Sequence, residues 1–196
     1  HPDFKDTRIA HLHDYQAAVT APILKSSLQW TGGILQTLHN IGYGPRCDAF
    51  QGVYDASVLA FIGLSSLFHV DALEYYGKAN FLKGGCLFSD VVSCVSERYS
   101  QEILRENYGG GLEGVMRRVM PRGVVNGIDT QDPHFRPDAG EAIRYDNGYN
   151  IADAKRTNRR QLNGFLRAKG EKMFDTDRPT IGVVARLTEQ KFTNLL

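Results

Sequence analysis

The stretch Asn80–Ile103, NFLKGGCLFSDVVSCVSERYSQEI, reads as a helix, a strand and a second helix in direct succession. Asn80–Phe88 predicts the first helix, with an internal Gly84-Gly85 pair that weakens it because glycine is a poor helix former. Val91–Val95 predicts the strand. Ser96, followed by Glu97, is an N-cap signal for a helix running to about Glu106, since a serine hydroxyl satisfies a free N–H at a helix start.

The same alternation extends outward. Toward the N-terminus, Leu64–Tyr76 predicts a helix, Ile34–Leu38 a strand, Tyr15–Lys25 a helix and Arg8–Leu12 a strand. Toward the C-terminus, Tyr108–Gly111 predicts a flexible loop and Gly123–Val125 a short strand entering the Asn126-Gly127 turn. Pro133–Asn150 is polar and rich in turn residues. Ala154–Lys169 predicts a basic helix, Thr180–Arg186 an apolar strand, and Thr188 the cap of one more helix. Strands alternating with helices predict an α/β architecture with a largely parallel sheet. A composition shift near Val124–Thr130 predicts a domain boundary there.

Bulk properties exclude several classes. The 196 residues carry 23 Lys plus Arg against 22 Asp plus Glu, a formal net charge of +1. Such a balance has no electrostatic footprint for nucleic acid or an anionic membrane, so neither is expected as a partner. No apolar run reaches the ~18 residues of a transmembrane helix. The three cysteines, Cys47, Cys86 and Cys94, are odd in number and form no CxxC pair, so neither a disulfide framework nor a zinc site is indicated. They read as small buried hydrophobes in a reducing compartment.

In open parallel sheets, ligands bind outside the carboxyl ends of the strands. Four positions fall there: His13-Asp14, His39-Asn40, Asn126 to Asp129, and Arg186 to Lys191. Strand alternation puts His11 and His13 on one side, with Asp14 near. A metal site needs third and fourth ligands, and His39, His69 and His134 lack supporting neighbours, so no metal is expected. His11 reads as a core histidine and His13 as a polar residue at the strand end. Arg186 and Lys191 flank a strand-to-helix turn, where two cations and free N–H groups form a site for an anion such as a diphosphate. Taken separately, that pair, the Asn126-Gly127 turn and the basic helix with Lys155, Arg156, Arg159 and Arg160 also fit solvated surface.

The order of motifs resembles the bacterial glycogen synthase and plant starch synthase family. The segments are HLHDYQAA (11–18), LHNIGY (38–43), Asn80–Ile103, GGLEGVM (110–116), VVNGID (124–129), FRP (135–137), AKRTNRRQL (154–162) and GVVARLTEQK (182–191). The resemblance implies two Rossmann-like domains facing a cleft, of the GT-B type. Residues 1–125 would be the C-terminal part of the first catalytic domain and 126–196 the beginning of the second, both incomplete. The chain is therefore expected to be an internal fragment, inactive by itself. The family's donor loop is expected before His1, and its glutamate motif after Leu196.

The implied activity is transfer of glucose from ADP-glucose or UDP-glucose to the nonreducing end of an α-1,4-glucan, with retention and without cofactor or metal. His13 resembles the histidine that contacts the donor glucose, and Asn126 the hinge asparagine facing the same sugar; these are the catalytic candidates. Arg186 and Lys191 resemble the cationic pair on the diphosphate. Asp14, His39, Asn40, Glu113 and Asp129 are candidate cleft-lining residues. The expected location is intracellular, plastid or cytoplasm. Three departures stand out: Phe192 where the family has glycine, Tyr15 where it has tryptophan, and the poorly matching segment Arg46–Ser66, expected to be an insertion touching the acceptor. Phe192 and the second motif, where Asn40 is followed by IGYGP rather than the family's usual alanine-tyrosine-glutamine-glycine, also fit a non-catalytic relative that binds glucan or nucleotide-sugar.

Overall fold

The computed structural model describes residues 6–42, 44, 46–129, 151–176 and 178–184. The chain divides into two compact units, His1–Asn126 and Gly127–Leu196.

The first unit is built on a parallel sheet. Strand β1 (Ile9–His13) pairs with β2 (Gly33–Leu38), with His13 opposite Thr37. Between them the chain is helical from α1 (Asp14–Ala18) through α2 (Thr20–Pro22) to a π-helical turn at Ile23–Ser27. The predicted helix over 15–25 is thus present but interrupted, consistent with Pro22, which has no N–H to give. After β2 come α3 (Asp48–Gln51), β3 (Val53–Tyr54) and α4 (Ser57–Phe61).

The helix predicted over Leu64–Tyr76 is absent. A 3-10 turn at Ser65–Leu67 leads instead into β4 (Glu74–Tyr75), which forms a hairpin with β5 (Lys78–Asn80). The connecting Tyr76 and Gly77 have φ of 50° and 79°. A type I′ two-residue hairpin turn needs φ > 0 at both positions, which glycine adopts freely and tyrosine rarely, so the turn carried little sequence signal. β5 also pairs with β3, completing a small antiparallel sheet in the order β3-β5-β4.

The segment that anchors the fold follows as read. Helix α5 (Phe81–Phe88) starts at Asn80, whose side chain accepts from Lys83 N–H at 2.8 Å. Strand β6 (Val91–Cys94) pairs with β2 in parallel, and α6 (Glu97–Glu102) is capped by Ser96, which accepts from Tyr99 N–H at 3.0 Å. Helix α7 (Glu113–Val119) and strand β7 (Arg122–Gly123) complete a parallel sheet in the order β1-β2-β6-β7. All its strands therefore end at one edge.

Alternation gives the sheet two different faces. Leu12, Ile34, Leu38, Val92 and Cys94 are buried beneath α1 and α5, together with Ala18, Ala21, Leu82 and Cys86. The opposite face carries His11, His13, Thr37 and Ser93, joined by hydrogen bonds described below. His11 is exposed on that face, so it is not the core histidine expected from its apolar neighbours.

Burial pushes the Cys86 thiol from an ordinary 9.0 up to about 12. Between those values the unfolded chain loses a proton that the folded chain keeps, so stability falls as pH rises through that interval and is untouched below it. Urea unfolding midpoints are expected to drop above pH 9, Cys86 contributing a slope of at most about 1.4 kcal/mol per pH unit. Cys86→Ala should flatten the slope, and an unchanged slope would show that this thiol titrates normally in the folded state.

In the second unit, α8 (Ile151–Ala168) matches the predicted basic helix. Asn163 ties it to an extended stretch, donating to Phe174 O at 2.6 Å and accepting from Phe174 N–H at 3.1 Å. The apolar strand predicted over Thr180–Arg186 is not formed over Thr180–Val184. Ile181 is 87% exposed and Val184 fully so. A strand requires a neighbour to satisfy its N–H and C=O groups, and none pairs here among the described residues. The polar stretch 133–150, Arg186, Thr188, Lys191 and Phe192 lie outside the described residues.

Candidate functional site

The carboxyl ends of β1 and β2 bring four of the named residues together. The strand register sets His13 opposite Thr37, so that His39, two residues on, reaches back to His13. His13 Nδ1 and His39 Nε2 are 2.9 Å apart. His11, two residues before His13 on the same face, stacks on it with ring centroids 4.2 Å apart.

A polar line crosses the sheet below this pair. His11 Nε2 is 2.7 Å from Thr37 Oγ1, which is 2.8 Å from Ser93 Oγ, so β1, β2 and β6 each contribute one member. The pKa of His11 is held below its ordinary value of 6.5, first by lost hydration and then by the nearby His13 and His39 rings.

Asp14 organises the second half of the site. Its Oδ1 accepts from the backbone N–H of His39 at 2.7 Å and of Asn40 at 3.3 Å. Asp14 itself has φ of 51°, a left-handed conformation that aspartate tolerates better than most residues. Gln36, fully buried on the core face of β2, donates its amide to Asp14 O at 3.1 Å. Its Oε1 has no partner among the described residues, a cost of about 1–3 kcal/mol. Asn40 turns the chain away by accepting from Gly42 N–H at 2.9 Å.

The loop after Asn40 is fixed from three sides. Tyr99 OH of α6 accepts from Ile41 N–H at 3.1 Å. Gln51 Nε2 donates to Ile41 O at 3.3 Å and Gly110 O at 2.7 Å, while Asn80 Nδ2 donates to Gln51 Oε1 at 2.9 Å. Gly109 and Gly110 are buried, so the glycine stretch is a held loop rather than the flexible one expected. Gly110 has φ of 60°, and a Cβ there would sit 2.7 Å from Gln51 Nε2. The divergent segment 46–66 is not merely an outlying insertion, because it supplies Gln51, Leu59 and Leu64 to the interior.

The other named residues stand apart. Glu113 occupies the first turn of α7, where a Cβ at Gly109 would come within 2.7 Å of its own. Asn126 is exposed, three residues past β7 at the carboxyl edge of the same sheet. Asp129 falls in the second unit. A separate hollow of about 420 Å³ is lined by Tyr75, Tyr76, Lys83, Leu112, Val115 and Arg118, and none of the edge histidines borders it. Among the described residues no group of three His, Cys, Asp or Glu side chains is placed to hold a metal ion, and no helix is long and apolar enough to cross a membrane.

Gln36, Thr37, Gln51 and Ser93 were not singled out from the sequence. The signal for Gln36 and Thr37 was their place in β2, immediately before the Leu38-His39-Asn40 segment. Gln51 sits in the stretch with the least recognisable pattern.

Comparison with known proteins finds a match of residues 3–118 to the family model described as starch synthase catalytic domain. A glycogen synthase of Thermosipho africanus is 34% identical over 196 residues, covering 96% of this chain and 38% of that protein. A glycogen synthase of Thermotoga maritima is 36% identical, covering 100% of this chain and 39% of that protein. The chain thus spans under two fifths of the length of these relatives. Among solved structures, the catalytic domain of starch synthase IV from Arabidopsis thaliana, bound to ADP and acarbose, aligns with a TM-score of 0.66 and 26% identity, covering 84% of this chain and 34% of that one.

Proposed function

The chain belongs to the starch synthase catalytic domain family, which includes the glycogen synthases, and from that membership we propose that it forms the middle of a glucosyltransferase using ADP-glucose or UDP-glucose. The glucosyl group passes to the nonreducing end of an α-1,4-glucan with retention. The bond from C1 to the diphosphate oxygen breaks and the nucleoside diphosphate leaves with the electron pair. The acceptor hydroxyl oxygen bonds to C1 on the same face, and its proton passes to the departing phosphate.

The observation that carries this reading is the His13–His39–Asp14 arrangement at the carboxyl edge of the parallel sheet, where such folds bind ligands. His13 faces the donor sugar, with Asp14, His39 and Asn40 holding that wall. Asn126 is the second residue assigned to the same sugar, and Glu113 and Asp129 are the remaining cleft-lining candidates. Arg186 and Lys191 hold the diphosphate. Fixed cations there stabilise the charge developing on the leaving oxygen more than they stabilise the ground state. In the starch synthase IV structure, bound ADP and acarbose are compatible with a nucleotide-sugar donor and a glucan acceptor in this family. On this reading residues 1–125 belong to the first domain of a GT-B arrangement and 126–196 begin the second; the division of the chain near Asn126 supports that boundary.

Calorimetry with ADP and UDP on the complete gene product tests the donor site. Lys191→Ala removes one charge-assisted contact and should weaken nucleotide-diphosphate binding by roughly ten- to a hundredfold, about 1.5–3 kcal/mol. Equal affinity in parent and variant would make Lys191 a surface charge. Phe192 in place of the family's glycine favours a second reading, a relative that binds nucleotide or glucan without transfer. Binding without any glucosyl transfer is its signature.

A further inference from the structure

We propose that His39 is a positioning residue for His13, holding its ring through Nδ1 so that Nε2 alone is presented at the sheet edge, and that Asp14 is the bracket that fixes His39. The role of the presented nitrogen toward a sugar hydroxyl rests on the function proposed above; the holding of the ring does not.

The geometry is specific. At 2.9 Å, Nδ1 of His13 and Nε2 of His39 share one proton, because two lone pairs or two N–H groups facing each other would repel. Which ring owns the proton sets the tautomer of both, the way a partner on one imidazole nitrogen decides the state of the other. His11 covers one side of the His13 ring and is itself anchored through Thr37 to Ser93. Rotation of His13 about its side-chain bonds would break the Nδ1 contact and the stacking together. Among the described residues Nε2 of His13 has no hydrogen-bond partner, and the residue is exposed.

The bracket carries two costs at one place. Asp14 adopts φ of 51° and Gln36 Oε1 is buried without a partner among the described residues. Both accompany the same result. The Asp14 carboxylate takes the N–H groups of His39 and Asn40, while the Gln36 amide holds the Asp14 carbonyl. Strain and an unpaired buried atom persist where the surrounding structure imposes them, and here both serve the peptide that carries His39.

The test is the long-range ¹H–¹⁵N spectrum of the histidine rings in the ¹⁵N-labelled 196-residue chain. The parent is expected to show a through-hydrogen-bond N–N coupling between His13 Nδ1 and His39 Nε2. In His39→Ala the coupling disappears and the His13 ring shifts move toward those of a free imidazole. His39→Gln, which returns a side-chain amide near the same place, should restore the parent-like His13 shifts in part. Absence of the coupling in the folded parent overturns the proposal, as does a His39→Ala spectrum with unchanged His13 shifts. Should His39→Ala not fold, the parent coupling alone decides. In the complete gene product, His39→Ala should lower kcat more than it changes KM, with His39→Gln recovering part of the loss. If the coupling is present but His13→Ala leaves turnover intact, the positioning stands and the proposed role of His13 in glucosyl transfer fails.

Discussion

Gly85→Leu is expected to destabilise the first unit by about 3 kcal/mol or more. A Cβ at Gly85 would lie 2.5 Å from the Cβ of Ala18, 2.9 Å from its Cα and 3.0 Å from its carbonyl oxygen. Two of those three atoms are backbone, so no rotamer change relieves the overlap. Helix α5 would have to move off α1, opening the layer that covers Leu38, Val92 and Cys94. Even Gly85→Ala, which gains about 1 kcal/mol in helix propensity, meets the same backbone atoms. Gly114 is the internal contrast. It lies in α7 with nothing within 4 Å of an added Cβ, so Gly114→Ala should stabilise by up to about 1 kcal/mol. Urea unfolding followed by far-ultraviolet circular dichroism separates the two. A Gly85→Leu variant as stable as the parent would mean that α1 and α5 do not approach this closely.

That glycine illustrates where sequence reasoning reached and where it stopped. Gly84-Gly85 weakened the helix prediction because propensity counts only the helix itself. In the structure the missing side chains admit Leu73 on one side and Ala18 on the other, a tertiary contact that no local pattern encodes. The β2–α5–β6–α6 core was legible because its signals are local: the short apolar runs of β2 and β6, and the serine cap at Ser96. The β4–β5 hairpin was not, because its turn uses Tyr76 at φ of 50° in place of the usual glycine or asparagine. Helix α7 carries little local signal, because Gly114 lies in its first turn and glycine is a poor helix former. The strand predicted over Thr180–Arg186 shows the opposite case over its described part, Thr180–Val184. An apolar β-branched run has strand propensity, but a strand exists only when another strand accepts its hydrogen bonds.

The site divides in the same way. His13, Asp14, His39 and Asn40 could be named from the rule that ligands gather at strand ends, and the structure brings those four together. The means by which they are held was not readable. Gln36 alternates with Ile34 and Leu38 on the buried face of β2, where a polar residue looks like an exception to be explained away. Its partner is a carbonyl 22 positions earlier. Likewise, Gln51 links Ile41, Gly110 and Asn80 across long sequence separations.

His13→Ala carries the largest expected effect on activity. Its ring is fixed by His39 on one nitrogen and stacked by His11, so the cost of ordering it is already met before a ligand arrives. A pre-organised hydrogen-bonding group facing charge that develops during bond breaking contributes roughly a hundredfold to turnover, about 2.7 kcal/mol. In the proposed role the group touches the sugar and not the diphosphate, so affinity for free ADP or UDP should hold nearly constant, in contrast to Lys191→Ala. The deciding measurement is incorporation of labelled glucose from ADP-glucose and UDP-glucose into glycogen by the complete gene product, parent beside His13→Ala. The expected result is transfer by the parent from at least one donor and roughly hundredfold slower turnover in the variant at unchanged nucleotide affinity. Equal turnover in parent and variant, or no transfer from either donor by a folded parent, contradicts it.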